Sequence, residues 1–94
     1  MIVEVLYFAE FKDITGKEKE KFELSSNHLK DLISLLIQKY GDKLRNIILD
    51  KNSQFIHNLI STIINNHAIL ERNPLYINLK DGDSIAFLMP VSGG

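Results

Sequence analysis

The last two residues, Gly93 and Gly94, are the ones whose types most suggest chemistry. With an average glycine usage of about 7%, glycine occupies both final positions in roughly 0.5% of chains. Because neither residue has a Cβ, a carboxyl group carried on Gly-Gly can enter a narrow slot in another protein and adopt backbone angles that other residues avoid. Such an ending suits a reactive tail, but frayed termini and vector remnants are also rich in small residues. The rest of the chain must decide between these two interpretations.

The composition favours one domain with a protein partner. A chain of 94 residues can form a single domain whose core needs no metal or disulfide. A net charge of -1 argues against nucleic-acid binding, which needs a basic surface. The absence of cysteine excludes disulfides, thiolate nucleophiles and cysteine-based metal sites.

The sequence predicts neither a membrane segment nor a metal site. No apolar run approaches the ~20 residues of a membrane span, and the N-terminus lacks the basic and then apolar order of a signal peptide. We therefore expect a cytoplasmic protein. The histidines His28, His57 and His67 have neither metal-ligand spacing nor a nearby nucleophile with an orienting carboxylate.

The elements that must position the tail begin with a strand. Residues 2–8 are β-branched and aromatic, and the alternation predicts a strand with two distinct faces. Glu4 marks the solvent face, so Leu6 and Phe8 become apolar side chains on that face. The opposite face carries Val3, Val5 and Tyr7. Residues 10–17 end in a turn signal and 19–24 alternate again, which predicts a hairpin whose mixed charges at 17–21 form a solvated edge.

A single long helix follows. Apolar residues recur at spacings of three and four from Leu29 to Tyr40, after three candidate N-cap residues at 25–27 and before Gly41 as C-cap. Residues 42–58 are the least readable, with a short strand or turn at 47–49. We predict a further strand at 59–64, which ends at an Asn65-Asn66 turn. The last strand is predicted at 84–89, after an Asp-Gly-Asp turn, and Pro90 ends it.

Two strands, a helix and three shorter strands predict an α+β domain in which one mixed sheet packs on one main helix. The order resembles the β-grasp of ubiquitin-like proteins. In that fold the first and last strands lie side by side, which would bring Leu6, Phe8 and Leu88 together on the face opposite the helix. A contiguous apolar patch there would be a docking surface beside the root of the tail. Ordinary scattered surface apolar residues are the alternative.

Several stretches together resemble the sulfur-carrier branch of the β-grasp fold, the family of molybdopterin synthase small subunits (MoaD/ThiS). They match in order across nearly the whole chain: Val5-Leu6-Tyr7-Phe8-Ala9, Thr15-Gly16, Ile64-Asn65-Asn66, Leu79 to Ala86 with its Asp-Gly-Asp turn, and Pro90-Val91-Ser92-Gly93-Gly94. Two positions depart from the family pattern. Lys12 stands where many members carry arginine, and Asn66 replaces a turn glycine.

The resemblance implies one domain over residues 1–94 with a flexible tail at about 90–94. It implies that an activating enzyme like that of ubiquitin uses ATP to adenylate Gly94, and that a sulfur donor converts the adenylate to a thiocarboxylate. That activation is needed, because a terminal carboxylate with a pKa of about 3.3–3.7 is ionised and a poor acyl donor. Sulfur would pass to a pterin precursor in the large subunit, which supplies the catalytic residues.

By the same resemblance the protein is a carrier in a hetero-oligomer, with no cofactor bound stably and no metal. Gly94 is the reactive residue, and Val91, Ser92 and Gly93 form the tail. The expected interface with the large subunit and the E1-like adenylyltransferase consists of Leu6, Phe8, Leu88, Met89 and Lys12.

Other functions remain open at this point. The chain could be a ubiquitin-like modifier joined through Gly94 to lysines of target proteins. It could also carry sulfur for tRNA thiolation or thiamine, which share the tail, or be an interaction module whose tail is inert.

Overall fold

The computed structural model describes residues 1–71 and 74–89. Within them, a five-stranded mixed sheet packs against one long helix, so the predicted α+β architecture is confirmed. The strands are β1 (Ile2–Leu6), β2 (Lys19–Glu23), β3 (Ser61–Ile64), β4 (His67–Ala68) and β5 (Ser84–Leu88). The helices are α1 (Ala9–Thr15), α2 (Leu29–Tyr40) and α3 (Asp42–Ile48), with a 3₁₀ turn at Pro74–Tyr76.

The strand order is β2-β1-β5-β3-β4, which places the first and last strands side by side in the centre. β1 and β5 are parallel, with Glu4 opposite Ser84 and Leu6 opposite Ala86. β5 is antiparallel to β3 on its other side. Because both edges of β5 are hydrogen-bonded, the strand that leads to the C-terminus is held at the most constrained position of the sheet.

The core lies between the inner face of the sheet and α2. Leu29, Leu32, Ile33 and Leu36 are buried along one stripe of the helix, as their spacing predicts. They belong to the same buried cluster as the inward side chains of the two central strands, Val3, Val5, Ile85 and Phe87. The alternation in β1 and β5 therefore assigned the faces of these strands correctly.

The start of α2 differs from the sequence prediction. Its N-cap is His28 and not one of residues 25–27, and the His28 backbone N–H donates to the Asp31 carboxylate at 3.2 Å. The C-cap is Gly41, as expected, with φ at 76° and its N–H donating to the Ile37 carbonyl at 2.7 Å.

Two short helices were missed. The segment predicted to connect the first two strands contains α1, and the predicted short strand or turn at 47–49 is largely the end of α3. Each helix has only seven residues, so fewer than two turns of periodicity are available to a sequence pattern. In α3 the buried residues are Leu44 and Ile48, four apart, which is helical spacing.

The Asn65-Asn66 turn is confirmed, with φ values of 51° and 69° that asparagine tolerates. β3 begins at Ser61, two residues later than predicted. No helix within residues 1–71 and 74–89 combines the length and the apolar character needed to cross a bilayer.

Candidate docking site at the root of the tail

The predicted reactive tail follows directly from the central strand β5. Val91, Ser92, Gly93 and Gly94 lie outside the described residues, so the structure places only the strand that precedes them. Leu88 is the last residue of β5 and pairs with Ser61 of β3. The docking site is therefore defined by the surface around Leu88.

The start of β5 is fixed by hydrogen bonds between two turns. The Asn65 side-chain amide donates to the Asp83 carboxylate at 2.8 Å, and its Oδ1 accepts the Ser84 N–H at 2.9 Å. The second oxygen of Asp83 accepts the Lys80 N–H at 2.7 Å. These contacts explain in structural terms why an asparagine turn and an Asp-Gly-Asp turn occur together in the sequence: they lock β5 against β3.

Apolar side chains form a row across the sheet face opposite α2. Leu6 of β1 pairs with Ala86 of β5, Ala86 pairs with Ile63 of β3, and Ile63 pairs with Ala68 of β4. Leu6, Ala86 and Ile63 of this row lie at a depression of about 400 Å³, which we call the apolar groove. The residues that line the groove are Leu6, Phe8, Ile63, Asn66, Ser84, Ala86 and Leu88.

Three of the five predicted interface residues meet in this groove. Phe8, the N-cap residue of α1, is 47% exposed, and Leu88, the last residue of β5, is 38% exposed, which is a large apolar exposure for two side chains that line one groove. Leu6 lies beside them on β1 and is half-buried. Ile63 was not among the predicted interface residues, but the alternation of β3 and its pairing with β5 bring it to the same face.

The other two predicted residues lie elsewhere. Met89 is half-buried and packs against the core. Lys12 lines a second depression of about 510 Å³, the charged hollow, which shares Leu6 and Phe8 with the apolar groove and also contains Tyr7, Ala9, Glu18 and Lys19. The Lys12 ammonium is 3.3 Å from the Glu18 carboxylate. Phe8 is therefore the ridge between an apolar and a charged surface.

On the core side of the sheet, the carboxylate of Glu20 accepts hydrogen bonds from four side chains. Its carboxylate accepts hydrogen bonds from the Tyr7 hydroxyl at 2.8 Å, the Tyr40 hydroxyl at 2.5 Å, the Lys17 ammonium at 2.9 Å and the Lys39 ammonium. The side chain of Glu20 is only 9% exposed. This Glu20 cluster ties β2 to the end of β1 and to the last turn of α2.

The cluster shifts the pKa values of its members. Burial alone would raise the pKa of Glu20, but the hydrogen bonds from Lys39, Tyr40, Lys17 and Tyr7 outweigh it and lower the pKa from 4.5 to about 2. Burial, and then the hydrogen bond to Glu20, raise the pKa of Tyr7 above its usual range. The hydrogen bond to Glu20 also raises the pKa of Lys17. At neutral pH Glu20 is therefore ionised, while Lys17 keeps its positive charge and Tyr7 keeps its hydroxyl proton.

No group of three or more histidine, cysteine, aspartate or glutamate side chains that could hold a metal occurs within residues 1–71 and 74–89. What the described residues provide is an exposed apolar surface beside the strand that leads to Gly-Gly. This arrangement can present a C-terminus to another protein's active site.

The fold is that of a ubiquitin-like β-grasp protein. Residues 5–94 match the ThiS family, and the chain belongs to this family. It is 32% identical over 95 residues to the molybdopterin synthase sulfur carrier subunit of Drosophila yakuba, covering 98% of this chain and 90% of that protein. It is 27% identical to the protein of the same description from Chlamydomonas reinhardtii, with both chains covered completely.

Solved structures agree with this assignment. Small archaeal modifier protein 1 from Methanosarcina acetivorans is 32% identical, with a TM-score of 0.81 and 99% of this chain and 96% of that chain covered. Subunits 1 and 2 of the molybdopterin-converting factor from Helicobacter pylori were solved as a complex. One chain of that complex matches this protein with 31% identity and a TM-score of 0.64, and the match covers 100% of this chain and 100% of that chain.

Proposed function

We propose that this protein is the sulfur carrier of a molybdopterin synthase and that sulfur is carried on the carbonyl carbon of Gly94. The observation that carries the proposal is the apolar groove at the root of β5, the strand that leads to Gly-Gly, in a chain whose ThiS family match extends through Gly94. The relatives described above that carry the name of sulfur carrier subunit support the same function. The chain contains no cysteine, so no side-chain thiol competes for this role.

In the proposed cycle a carboxylate oxygen of Gly94 attacks the α-phosphate of ATP in an E1-like adenylyltransferase, and pyrophosphate leaves. Sulfide-level sulfur from a donor then attacks the acyl carbon and displaces AMP, which leaves a thiocarboxylate at Gly94. In the large subunit this sulfur forms a bond to the pterin precursor, and water then cleaves the acyl–sulfur bond and restores the carboxylate. The carrier contributes a reactive end group and a docking surface, while its partners supply the catalytic side chains.

The apolar groove is the surface that we assign to the large subunit and to the activating enzyme. Burial of Phe8 and Leu88 against a partner would stabilise the complex by about 25 cal/mol for each Å² of apolar surface removed from water. The rigid pairing of β5 on both sides would then aim the tail into the partner without further ordering of the strand.

The proposal is tested by incubating the protein with its cognate activating enzyme, ATP and a sulfur source. Intact-mass spectrometry should show the exchange of one oxygen for sulfur at the C-terminus, and a reaction without ATP should show no change. The proposal would be wrong if an enzyme preparation of proven activity yielded neither the acyl-adenylate nor the thiocarboxylate.

Protein conjugation through Gly94 is the second candidate, and the 32% identity to an archaeal modifier protein is the observation that favours it. Both functions begin with the acyl-adenylate. Conjugation would leave a Gly-Gly remnant on lysines of other proteins, after digestion with a protease that cleaves next to the tail. A search for that remnant in cell lysate distinguishes the two functions.

Charged substitutions in the apolar groove should weaken partner binding without unfolding the protein. We expect Phe8→Asp and Leu88→Asp each to weaken binding to the large subunit by roughly 30-fold or more, as for truncated hot-spot residues. Isothermal titration calorimetry measures the affinity, and thermal melting checks the fold.

Ile2→Asp is the matched control for both variants. Ile2 is 50% exposed and, by alternation, lies on the same sheet face, but it lines a different depression at the other end of β1. Its replacement should leave the affinity nearly unchanged. Unfolding of the Phe8 or Leu88 variant, or equal losses in all three variants, would contradict the assignment of this face as the docking surface.

A further inference from the structure

Two lysines of β2 lie on the docking face of the sheet in different surroundings. Lys19 pairs with Leu6 across the strands, whereas Lys21 pairs with Glu4. Both lysines are exposed, and because they are two residues apart on one strand they point to the same face. Lys19 therefore begins the row of side chains that continues through Leu6 into the apolar groove.

Lys21 lies beside an excess of negative charge. Within the described residues it forms no ion pair within 4.0 Å, but it lines a depression together with two carboxylate side chains, Glu4 and Asp81. Lys19 instead lies in the charged hollow, where the Glu18 carboxylate is paired with Lys12 at 3.3 Å. Within residues 1–71 and 74–89, no carboxylate approaches the Lys19 ammonium within the 4.0 Å of an ion pair. Two lysines against one glutamate leave the charged hollow with one excess positive charge.

A partner that covers the apolar groove also covers the edge of the charged hollow, because the two depressions share Leu6 and Phe8. An ammonium that is partly desolvated in this way without a counter-charge opposes binding, whereas a carboxylate placed opposite it offsets that cost and steers the encounter. The local charge thus favours a partner surface in which an acidic side chain lies beside the apolar group that enters the groove.

On the basis of the proposed function, we infer that Lys19 pairs with an aspartate or glutamate of the large catalytic subunit and that this pair sets partner specificity at the β2 edge of the interface. Lys19 is a binding residue in this assignment and has no part in the sulfur chemistry. The pair lies at the rim of the interface, so its main effects are on the association rate and on salt dependence.

The test compares Lys19→Glu with Lys21→Glu, which makes the same charge change two residues away on the same strand and face. Association and dissociation rates with the cognate large subunit are measured by surface plasmon resonance at low and high salt. Lys19→Glu should weaken binding about tenfold, chiefly by slower association, and the loss should shrink at high salt as the charges are screened. Lys19→Gln should lower the affinity about threefold, and Lys21→Glu should lower it less than about twofold.

The inference is overturned if Lys19→Glu binds as the wild type does, if both glutamate variants lose affinity equally, or if the loss does not depend on salt. Circular dichroism and melting temperature should be the same for all variants, because both lysines are exposed. A wild-type protein that does not bind the large subunit at all would instead overturn the proposed function, and this result is distinct from any difference between the variants.

Discussion

Deletion of Gly94 should abolish thiocarboxylate formation and sulfur transfer while leaving the fold unchanged. The deletion moves the terminal carboxyl back by one residue, which is about 3.3–3.6 Å of extended chain. When reacting groups are positioned by binding, a displacement of about 1 Å can lower the reaction rate by a factor of about 10². The larger displacement caused by the deletion should therefore reduce the rate below detection. Intact-mass spectrometry after the activation reaction, and a pterin conversion assay with the large subunit, measure the two losses.

Ser92→Ala is the control for this deletion, because it alters the tail without changing its length. It should retain most of the activity, since the docking surface and the position of the terminal carboxyl are unchanged. The melting temperature of the deletion variant should equal that of the wild type, because the described core is built from residues no later than Met89. A Gly94-deleted protein that still acquires and transfers sulfur would show that another group carries it.

The parts of the site that the sequence predicted are those with regular periodicity. Alternation was enough to place Leu6 and Leu88 on the outer face of their strands, because a strand has only two faces. Phe8 was assigned by the same rule, but β1 ends at Leu6, and Phe8 lines the groove as the N-cap residue of α1. The pairing of the first and last strands came from the resemblance to the β-grasp. Neither source could have supplied the register, which brings Ile63 opposite Ala86 and so completes the groove.

Short segments whose structure depends on tertiary contacts could not be predicted from the sequence pattern. The inward stripe of α1 consists of one buried side chain, Phe11, and one partly buried side chain, Ile14, which is too short to reveal a helix. Glu20 was assigned to a solvated run of mixed charge. Extending the alternation of Phe22 and Leu24 backwards would have put Glu20 on the core face. Of its four donors, however, only Lys17 belongs to the same run, and the two tyrosines and Lys39 come from other parts of the chain.

Replacement of Glu20 by glutamine should destabilise this protein much more than an ordinary surface substitution does. The amide cannot satisfy four donors, and its own N–H groups would face the donors of Lys17, Lys39, Tyr7 and Tyr40. We expect a loss of about 2–3 kcal/mol in the free energy of unfolding. This is less than the free energy equivalent to the full pKa shift of Glu20, because both lysines are about half-exposed and water screens their charges. In a domain of this size that loss corresponds to roughly 10–20 °C in melting temperature.

Glu18→Gln is the matched control, since Glu18 is also a glutamate paired with a lysine but its side chain is 81% exposed. Its replacement should change the free energy of unfolding by about 0–1 kcal/mol. Urea titration of the three proteins at neutral pH measures the differences. Equal stability of the Glu20 and Glu18 variants would contradict a structural role for the buried cluster.

The stabilisation by Glu20 should also disappear in acid, and the direction follows from its pKa. The folded state holds the pKa at about 2, below the ordinary value of 4.5, so the unfolded chain takes up the proton first as the pH falls. The contribution is therefore complete above about pH 4.5 and is lost between about pH 4.5 and 2. Glu20→Gln lacks this titration, so the difference in the free energy of unfolding between wild type and variant should shrink as the pH falls across that window. A difference that stays constant with pH would instead show that the substitution acts through altered packing.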